Sequence, residues 1–371
     1  MIRRFFRQRL LDPFKAAALL SIANLSIAPV AAQDTTNTTA GNLVEALLGA
    51  VVGKKAPVEG PLADLDILLV QTKTLLGNGD LVAAEANARK ALAFAKTISG
   101  SDQAVLIAPL INLTTALIMS YKNSEAETVA RWAYDISKKT FGEGSIYTIM
   151  VRDDLSRIYR ATGRFTEAES ISLQVIADAQ KKSGTTTEFT IGAINGLGAL
   201  YMGQGRAAEA EPLFARALEL SRKSRGLNDP NTLGILANLG AAKALQQKYA
   251  EAGPLLVEAA AGMERVSGVK SQKSIIVNVQ LAGLLFSEGK VREAEQLLAK
   301  ARLQSTDPNI PKSLSFTIAM EQAGLFIATK RPDLALPILT GGVTQSALLF
   351  GQEHPMTISL NALLAQGRLE K

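Results

Sequence analysis

Histidine and cysteine, which serve acid–base, nucleophilic and transition-metal chemistry, are almost absent from this sequence of 371 residues. It holds one histidine, His354, and no cysteine. A catalytic serine or thiol needs a base held beside it, and transition-metal sites draw mainly on histidine and cysteine. Thiol chemistry is therefore excluded, and we expect His354 to cap a helix or to lie in a loop. The sequence predicts a protein that is not an enzyme and that uses no metal and no cofactor.

Two other patterns lack the geometry that chemistry needs. Asp153 and Asp154 are adjacent, and adjacent side chains on a helix point in different directions, so we expect no convergent carboxylate pair. Gly49–Lys55 (GAVVGKK) resembles a phosphate-binding loop, but it is one residue short and no Ser or Thr follows the lysine. Neither pattern predicts a catalytic site.

A pattern of residues centred on an alanine repeats along the chain. A small residue precedes each repeated alanine by twelve positions, and a large one usually precedes it by nine. Large residues at helical intervals with small residues between them predict two helices that pack at close range. The repeated alanines lie 42 residues apart five times and 41 apart once: Ala84, Ala126, Ala168, Ala210, Ala252, Ala294 and Ala335.

Glycine and hydroxyl residues follow the same register and predict where the helices end. Glycines are expected in the turn inside each pair, as at Gly163, and at the end of each pair, as at Gly142, because positive φ costs glycine little. Hydroxyl residues six positions after the pair-ending glycines are expected to cap the next first helix. They are Thr148, Thr190, Thr232 and Ser274.

Residues 61–371 resemble the tetratricopeptide repeat family, in the 42-residue form found in kinesin light chains. The resemblance is strongest over Leu197–Phe214 (LGALYMGQGRAAEAEPLF) and the linking segment Gly226–Thr232 (GLNDPNT). It implies an all-α fold, a right-handed superhelical solenoid of about seven helix-turn-helix repeats. Gly351–Thr357 (GQEHPMT) repeats the linking segment and predicts a C-terminal capping helix.

The resemblance also implies where a protein or peptide partner would bind. First helices line the concave side of such a solenoid. A leucine recurs thirteen positions before the repeated alanine, as at Leu155 and Leu197, and the residues two before it, and two and five after it, should face the groove. Asparagine at the place of Asn195 contacts peptide in related proteins, although Ala237 holds that place one repeat later. Ordinary solvated surface is the alternative interpretation. The candidate partner-binding residues are Asp153, Arg157, Arg160, Asn195 and Met202.

Residues 1–32 have the order of a secretory signal peptide. Cations precede the apolar stretch Ala16–Val30, and small residues lead to a cleavage site after Ala32. A mitochondrial transit peptide and a buried N-terminal helix are the alternatives. We expect residues 33–60 to be a polar linker with one short apolar helix near Leu43–Val52. The predicted location is periplasmic or secreted, by the Sec or the twin-arginine route.

Charge and hydropathy limit the other classes of partner that the sequence could predict. Residues 1–32 hold five cations and one acid, a net +4 of the total +6, so +2 remains for the rest of the chain. This near balance gives no case for nucleic-acid binding. No transmembrane segment is expected once the signal is cleaved. A self-associating structural solenoid, or the remnant of a repeat-plus-protease architecture, remains the alternative to a partner-binding scaffold.

Overall fold

The computed structural model describes residues 60–77, 80–100, 102–181, 187–307, 310–352 and 354–370. The predicted signal peptide and nearly all of the predicted linker lie outside these residues and stay predictions. A 3₁₀ helix, Gln103–Leu106, precedes α3. The described residues form fifteen α-helices and no strand: α1 Pro61–Gly77, α2 Leu81–Ile98, α3 Ile107–Met119, α4 Asn123–Phe141, α5 Ile146–Ala161, α6 Phe165–Lys181, α7 Thr187–Gly203, α8 Ala207–Arg225, α9 Pro230–Leu245, α10 Tyr249–Ser267, α11 Gln272–Ser287, α12 Val291–Gln304, α13 Lys312–Ala328, α14 Pro332–Phe350 and α15 Pro355–Leu369.

The helices follow one another in pairs, an odd-numbered first helix and an even-numbered second helix, within two compact units. The N-terminal unit holds residues 60–200 and 219–224, and the C-terminal unit holds residues 201–218 and 225–370. In the N-terminal unit, α3 packs on α2 and α4, and α5 packs on α4 and α6. In the C-terminal unit, α11 and α13 have the same kind of neighbours, and α15 packs on α13 and α14. The predicted all-α fold of helix pairs with a C-terminal capping helix is confirmed.

Small residues set the distance between the helices of a pair. All seven repeated alanines are fully buried. A Cβ atom added to Gly240 of α9 would lie 2.8 Å from Leu256 Cγ of α10, and one added to Gly262 of α10 would lie 2.7 Å from Leu233 Cδ2 of α9. These distances are too short for carbon atoms in contact, so the two backbones approach only because side chains are missing there. The leucines then fill the space beside the contact.

The helix ends match the glycine predictions but not the hydroxyl prediction. Gly142 and Gly163 have φ of +81° and +77°, as expected for a pair end and a turn inside a pair. The cap of α5 is Ser145, whose hydroxyl accepts from Thr148 N, so the prediction that Thr148 is the cap was wrong. Thr148 is buried instead and donates its own hydroxyl hydrogen to Gly142 O, at 2.8 Å. This bond joins the end of α4 to the start of α5, whereas a helix cap would only satisfy a backbone N–H group of α5 itself.

Salt bridges join successive pairs at a position that the sequence analysis did not single out. The cation four residues before a repeated alanine reaches the glutamate that follows the previous repeated alanine. Lys122 Nζ lies 2.8 Å from Glu85 Oε1, and Lys248 Nζ lies 2.8 Å from Glu211 Oε2. Hydrogen bonds from Lys243 and Lys248 lower the pKa of Glu211 to about 2. Arg164–Glu127 and Arg331–Glu295 repeat the pairing, so one register of charges ties neighbours together in both units.

One described helix, α14, is long and apolar enough to cross a membrane by length and composition. Only Asp333 carries a charge along it. It packs on α13 and α15, and its buried residues include Leu339 and Ser346. The same apolar composition therefore also serves packing within the C-terminal unit.

The turn inside each pair offers a test of backbone strain. Its middle residue has positive φ whether or not it is glycine: Gly163, Gly205 and Gly289 share this conformation with Tyr121, Gln247 and Lys330. Gln247 is exposed and its φ is 62°, a region in which a Cβ atom is unfavourable. Gln247→Gly should therefore raise the free energy of unfolding by about 0.5–1 kcal/mol, measured by urea unfolding followed by circular dichroism. Gln247→Ala keeps the Cβ atom and should give no such gain; equal gains in both variants would contradict this explanation.

Candidate functional site: a charged face on the first helices of the N-terminal unit

Four charged side chains gather on one side of α5. Arg157 follows Asp153 by one helical turn and Arg160 by two, so the three lie on one face. Arg157 Nη1 donates to Asp154 Oδ1 at 2.9 Å. Asp154 is buried, and Asp153, Arg157 and Arg160 are half-buried. The cluster is therefore neither fully buried nor freely solvated.

Limited access to water shifts the proton equilibria of this cluster. Burial raises the pKa of Asp154 to about 7, against the opposing charge of Arg157. Burial also raises the pKa of Asp153, an effect that Arg157 and Arg160 partly offset. Burial lowers the pKa of Arg160 to about 10, and the charge of Arg157 acts in the same direction. Each shift shows that ions here are poorly solvated, so an added counter-charge would be held more strongly than on open surface.

The face extends from α5 to α7 within the N-terminal unit. Arg160 Nη1 lies 3.4 Å from Gly196 O of α7. Nothing would contact a Cβ atom added to Gly196, so space remains beside that carbonyl. Asn195, the residue before it, is only 7% exposed. The structure thus brings four of the five predicted residues onto adjacent first helices, and their contact with a partner stays a prediction.

The fifth predicted residue, Met202, belongs to the C-terminal unit. It is 1% exposed, as little as the core leucines around it. Ala237, Ala241 and Ala244, which hold the equivalent positions in α9, are also buried. Register alone places these residues on the predicted inner side, but it does not show whether neighbouring side chains close over them.

Lys73 of α1 is a member of this face that the sequence analysis missed. It lies two repeats before Arg157 and occupies the equivalent position. Its Nζ atom is buried and has no hydrogen-bond partner among the described residues. Burial lowers the pKa of Lys73 to about 8, while the charge of Asp66 acts the other way. Extending the repeat register to the first pair would have found it. We call Lys73, Asp153, Arg157, Arg160 and Asn195 the first-helix face.

Next to this face, one position of the repeat holds a buried polar group in several first helices. Asn112 Nδ2 donates to Leu69 O of α1 at 3.3 Å, and Asp154 is its equivalent in α5. In the C-terminal unit, Gln280 Nε2 donates to Asn238 Oδ1 at 3.3 Å. Glu321 continues the series, and burial raises its pKa well above its usual value. The position serves contact between neighbouring first helices.

The chemistry available at the first-helix face is electrostatic and hydrogen-bonding. No group of three His, Asp or Glu residues in the described part of the chain is placed to hold a metal ion. His354, the single histidine, caps α15 by accepting from Met356 N through Nδ1 at 3.1 Å, as the sequence predicted. The arrangement at the face suits recognition of carboxylate and amide groups, because arginine and lysine donate to the first and asparagine pairs with the second.

Comparison with known proteins gives the repeat type. Two models of the tetratricopeptide repeat match the chain, one over residues 148–186 and the other over residues 190–265. These residues carry tetratricopeptide repeats. A search of curated proteins finds no significant match.

Solved structures similar to this chain are helical-repeat proteins. A tetratricopeptide repeat protein from Parabacteroides merdae is 17% identical over 82% of this chain and 98% of its own, with a TM-score of 0.52. NprR in complex with its cognate peptide NprX is 11% identical over 90% of this chain and 93% of its own, with a TM-score of 0.59. A putative kinesin light chain from Podosopora anserina is 21% identical over 57% and 99%, with a TM-score of 0.46. The two higher scores support the fold, and at these identities they show the fold alone.

Asp154 makes the stability of the chain depend on pH in a way that one substitution should remove. The unfolded chain loses this proton near pH 4, whereas the folded chain keeps it up to about pH 7. The carboxyl therefore destabilises the fold progressively as pH rises from 4 to 7. Asp154→Asn should be close to wild type at pH 4.5 and more stable by about 2–4 kcal/mol at pH 7.5, measured by urea unfolding at both values.

The reciprocal variant is the matched control. Asn112 holds the equivalent position one repeat earlier, so Asn112→Asp adds a carboxyl in a similarly buried place. It should lower stability more at pH 7.5 than at pH 4.5. If both variants kept the same difference from wild type at the two pH values, burial of the Asp154 carboxyl would not be the cause.

Proposed function

We propose that this chain is an exported, non-enzymatic scaffold that binds a protein or peptide through the first-helix face of its N-terminal unit. The observation that carries the proposal is a set of half-buried cations, Lys73, Arg157 and Arg160, on equivalent faces of first helices. We also propose that the repeat unit is 42 residues long and of the type found in kinesin light chains. The fold itself is typical of proteins that act as interaction scaffolds.

The charge of the face favours an acidic, extended peptide segment. The face carries three cations, Lys73, Arg157 and Arg160, near the acids Asp66 and Asp153. Asp154 beside Arg157 is partly protonated at neutral pH, since its pKa is raised to about 7. Lys73 Nζ has no hydrogen-bond partner among the described residues, and Arg157 uses Nη1 for Asp154. Carboxylates spaced along an extended segment could therefore reach donors on α1 and α5.

The similar structures add support of a general kind. NprR was solved in complex with its cognate peptide, and its fold resembles that of this chain over 90% of its length. A fold that holds a peptide in one protein can hold one in another, although the residues at the site decide which. The side chains described above, rather than the likeness, support the acidic class of partner.

Reversing charge on the face tests the proposal directly. A peptide array of acidic, neutral and basic extended sequences should retain the wild-type protein mainly on the acidic members. Arg157→Glu combined with Arg160→Glu should weaken binding to a retained acidic peptide by at least about tenfold, because two desolvated donors become repulsive. Fluorescence anisotropy with that labelled peptide gives the affinity.

A control of equal charge change separates the site from the net charge. Lys90 and Lys139 are exposed residues of second helices in the same unit. Lys90→Glu combined with Lys139→Glu should leave the affinity within about twofold of wild type at moderate salt, because exposed charges are screened. Equal losses in the two double variants, or retention of binding when both Arg157 and Arg160 are replaced, would place the site elsewhere.

Export has its own test. The order of cations, apolar stretch and small residues over residues 1–32 supports cleavage after Ala32, which leaves Gln33 as the first residue. Expressed in a bacterium with two membranes, the chain should be recovered from the periplasm at the mass of residues 33–371, measured by intact mass spectrometry. Ala32→Leu should block cleavage, because the processing enzyme needs a small residue there. Uncleaved wild-type chain in the cytoplasm would contradict export.

A further inference from the structure

One face of α1 is uncovered, although the equivalent face of three later first helices is buried. Ile67 and Val70 of α1 are 54% and 48% exposed, and Gln71 and Thr74 beside them are also exposed. These residues recur at intervals of three and four, so they share one side of the helix. Their equivalents in three later first helices are buried: Pro109, Asn112, Leu113 and Ala116 in α3; Val151, Asp154, Leu155 and Ile158 in α5; and Ile235, Asn238, Leu239 and Ala242 in α9.

The buried equivalents show what this face is for. In α3 it meets the preceding pair, since α3 packs on α1 and α2 and Asn112 Nδ2 donates to Leu69 O of α1. The exposed side of α1 is therefore the surface on which a preceding pair would pack. Terminal repeats that lack such a neighbour need a cap, and a polar outer face is the usual one. Here the outer face keeps two apolar residues, Ile67 and Val70.

We propose that Leu43–Val52 of this same chain packs as a short helix on that face of α1 and caps the first repeat. The stretch LVEALLGAVV contains one charge, Glu45. Read as a helix, Leu43, Leu47 and Val51 form an apolar stripe at intervals of four, which gives the segment one apolar side to set against Ile67 and Val70. Ten helical residues span about 15 Å, enough to cover the exposed patch.

The connection to α1 permits this contact. Eight residues, 53–60, join Val52 to the start of α1, and extended they reach about 26 Å. Val70 lies nine residues after Pro61 along α1, about 14 Å away along the helix axis. A tether of this length gives the segment an effective concentration on the order of millimolar at α1, which a second copy of the chain does not reach at ordinary protein concentrations. If the signal is cleaved after Ala32, the segment remains on the mature chain.

Introduced cysteines test the contact without background, because the full chain has none. Leu47→Cys with Val70→Cys should form an intramolecular disulfide several-fold faster than Leu47→Cys with Val82→Cys. Val82 of α2 is 84% exposed, so its thiol is no less accessible. Rates are measured on non-reducing gels with peptide mapping and are normalised to the reaction of each thiol with a small disulfide reagent.

A third variant separates packing from simple nearness along the chain. Adding Ile67→Asp to the variant that carries Leu47→Cys and Val70→Cys should slow the disulfide to the rate of the Val82→Cys control, since a carboxylate in the patch opposes apolar contact. An unchanged rate would show that the tether alone brings the thiols together and would overturn the proposal. Disulfides between two chains through position 70 would also overturn it, in favour of a second copy as the occupant.

Discussion

Each helix pair of this protein is too small to bury its own apolar surface, and the fold depends on that constraint. The helices of a pair touch at alanine and glycine, which brings the backbones close but leaves the outer sides of both helices apolar. The next pair covers those sides, as α3 packs on α1 and α11 packs on α9. Stability is therefore held in contacts between neighbours, and a repeat without a neighbour on one side exposes what the others bury.

Contacts between neighbours are also made specific by polar groups. Apolar packing alone would tolerate sliding of one pair along the next. The bond from Gln280 to Asn238, the bond from Thr148 to Gly142 and the salt bridge from Lys122 to Glu85 each fix one pair relative to the preceding one. Exposed salt bridges of this kind contribute little energy individually, typically about 1 kcal/mol or less. Their regular spacing gives register rather than strength.

The sequence predicted features that depend on the chain's own backbone and failed where several helices act together. The glycines at 142 and 163 were identified because positive φ is a local property. Thr148 was assigned as a cap because hydroxyls are common there, whereas Ser145 caps and Thr148 bridges two helices. The burial of Met202 could not be read from register, since register gives the direction of a side chain and not what lies over it. Lys73 could have been found from the sequence, because its equivalence to Arg157 follows from the repeat.

The third repeat fills the buried polar position of its first helix differently from the second and fifth repeats. Asn112 satisfies the buried polar position with a neutral amide, and so does Asn238 in the C-terminal unit. Asp154 puts a carboxyl there instead and needs Arg157 to hold it, so the fold loses stability at neutral pH. Residues that break a local rule at a cost to stability are expected at functional sites. With aspartate rather than asparagine at position 154, one hydrogen bond fixes the orientation of Arg157 while its other N–H groups remain available. Arg160 lies one helical turn away. That arrangement fits the proposed recognition of a carboxylate, and it puts the two arginines of the first-helix face on the third repeat.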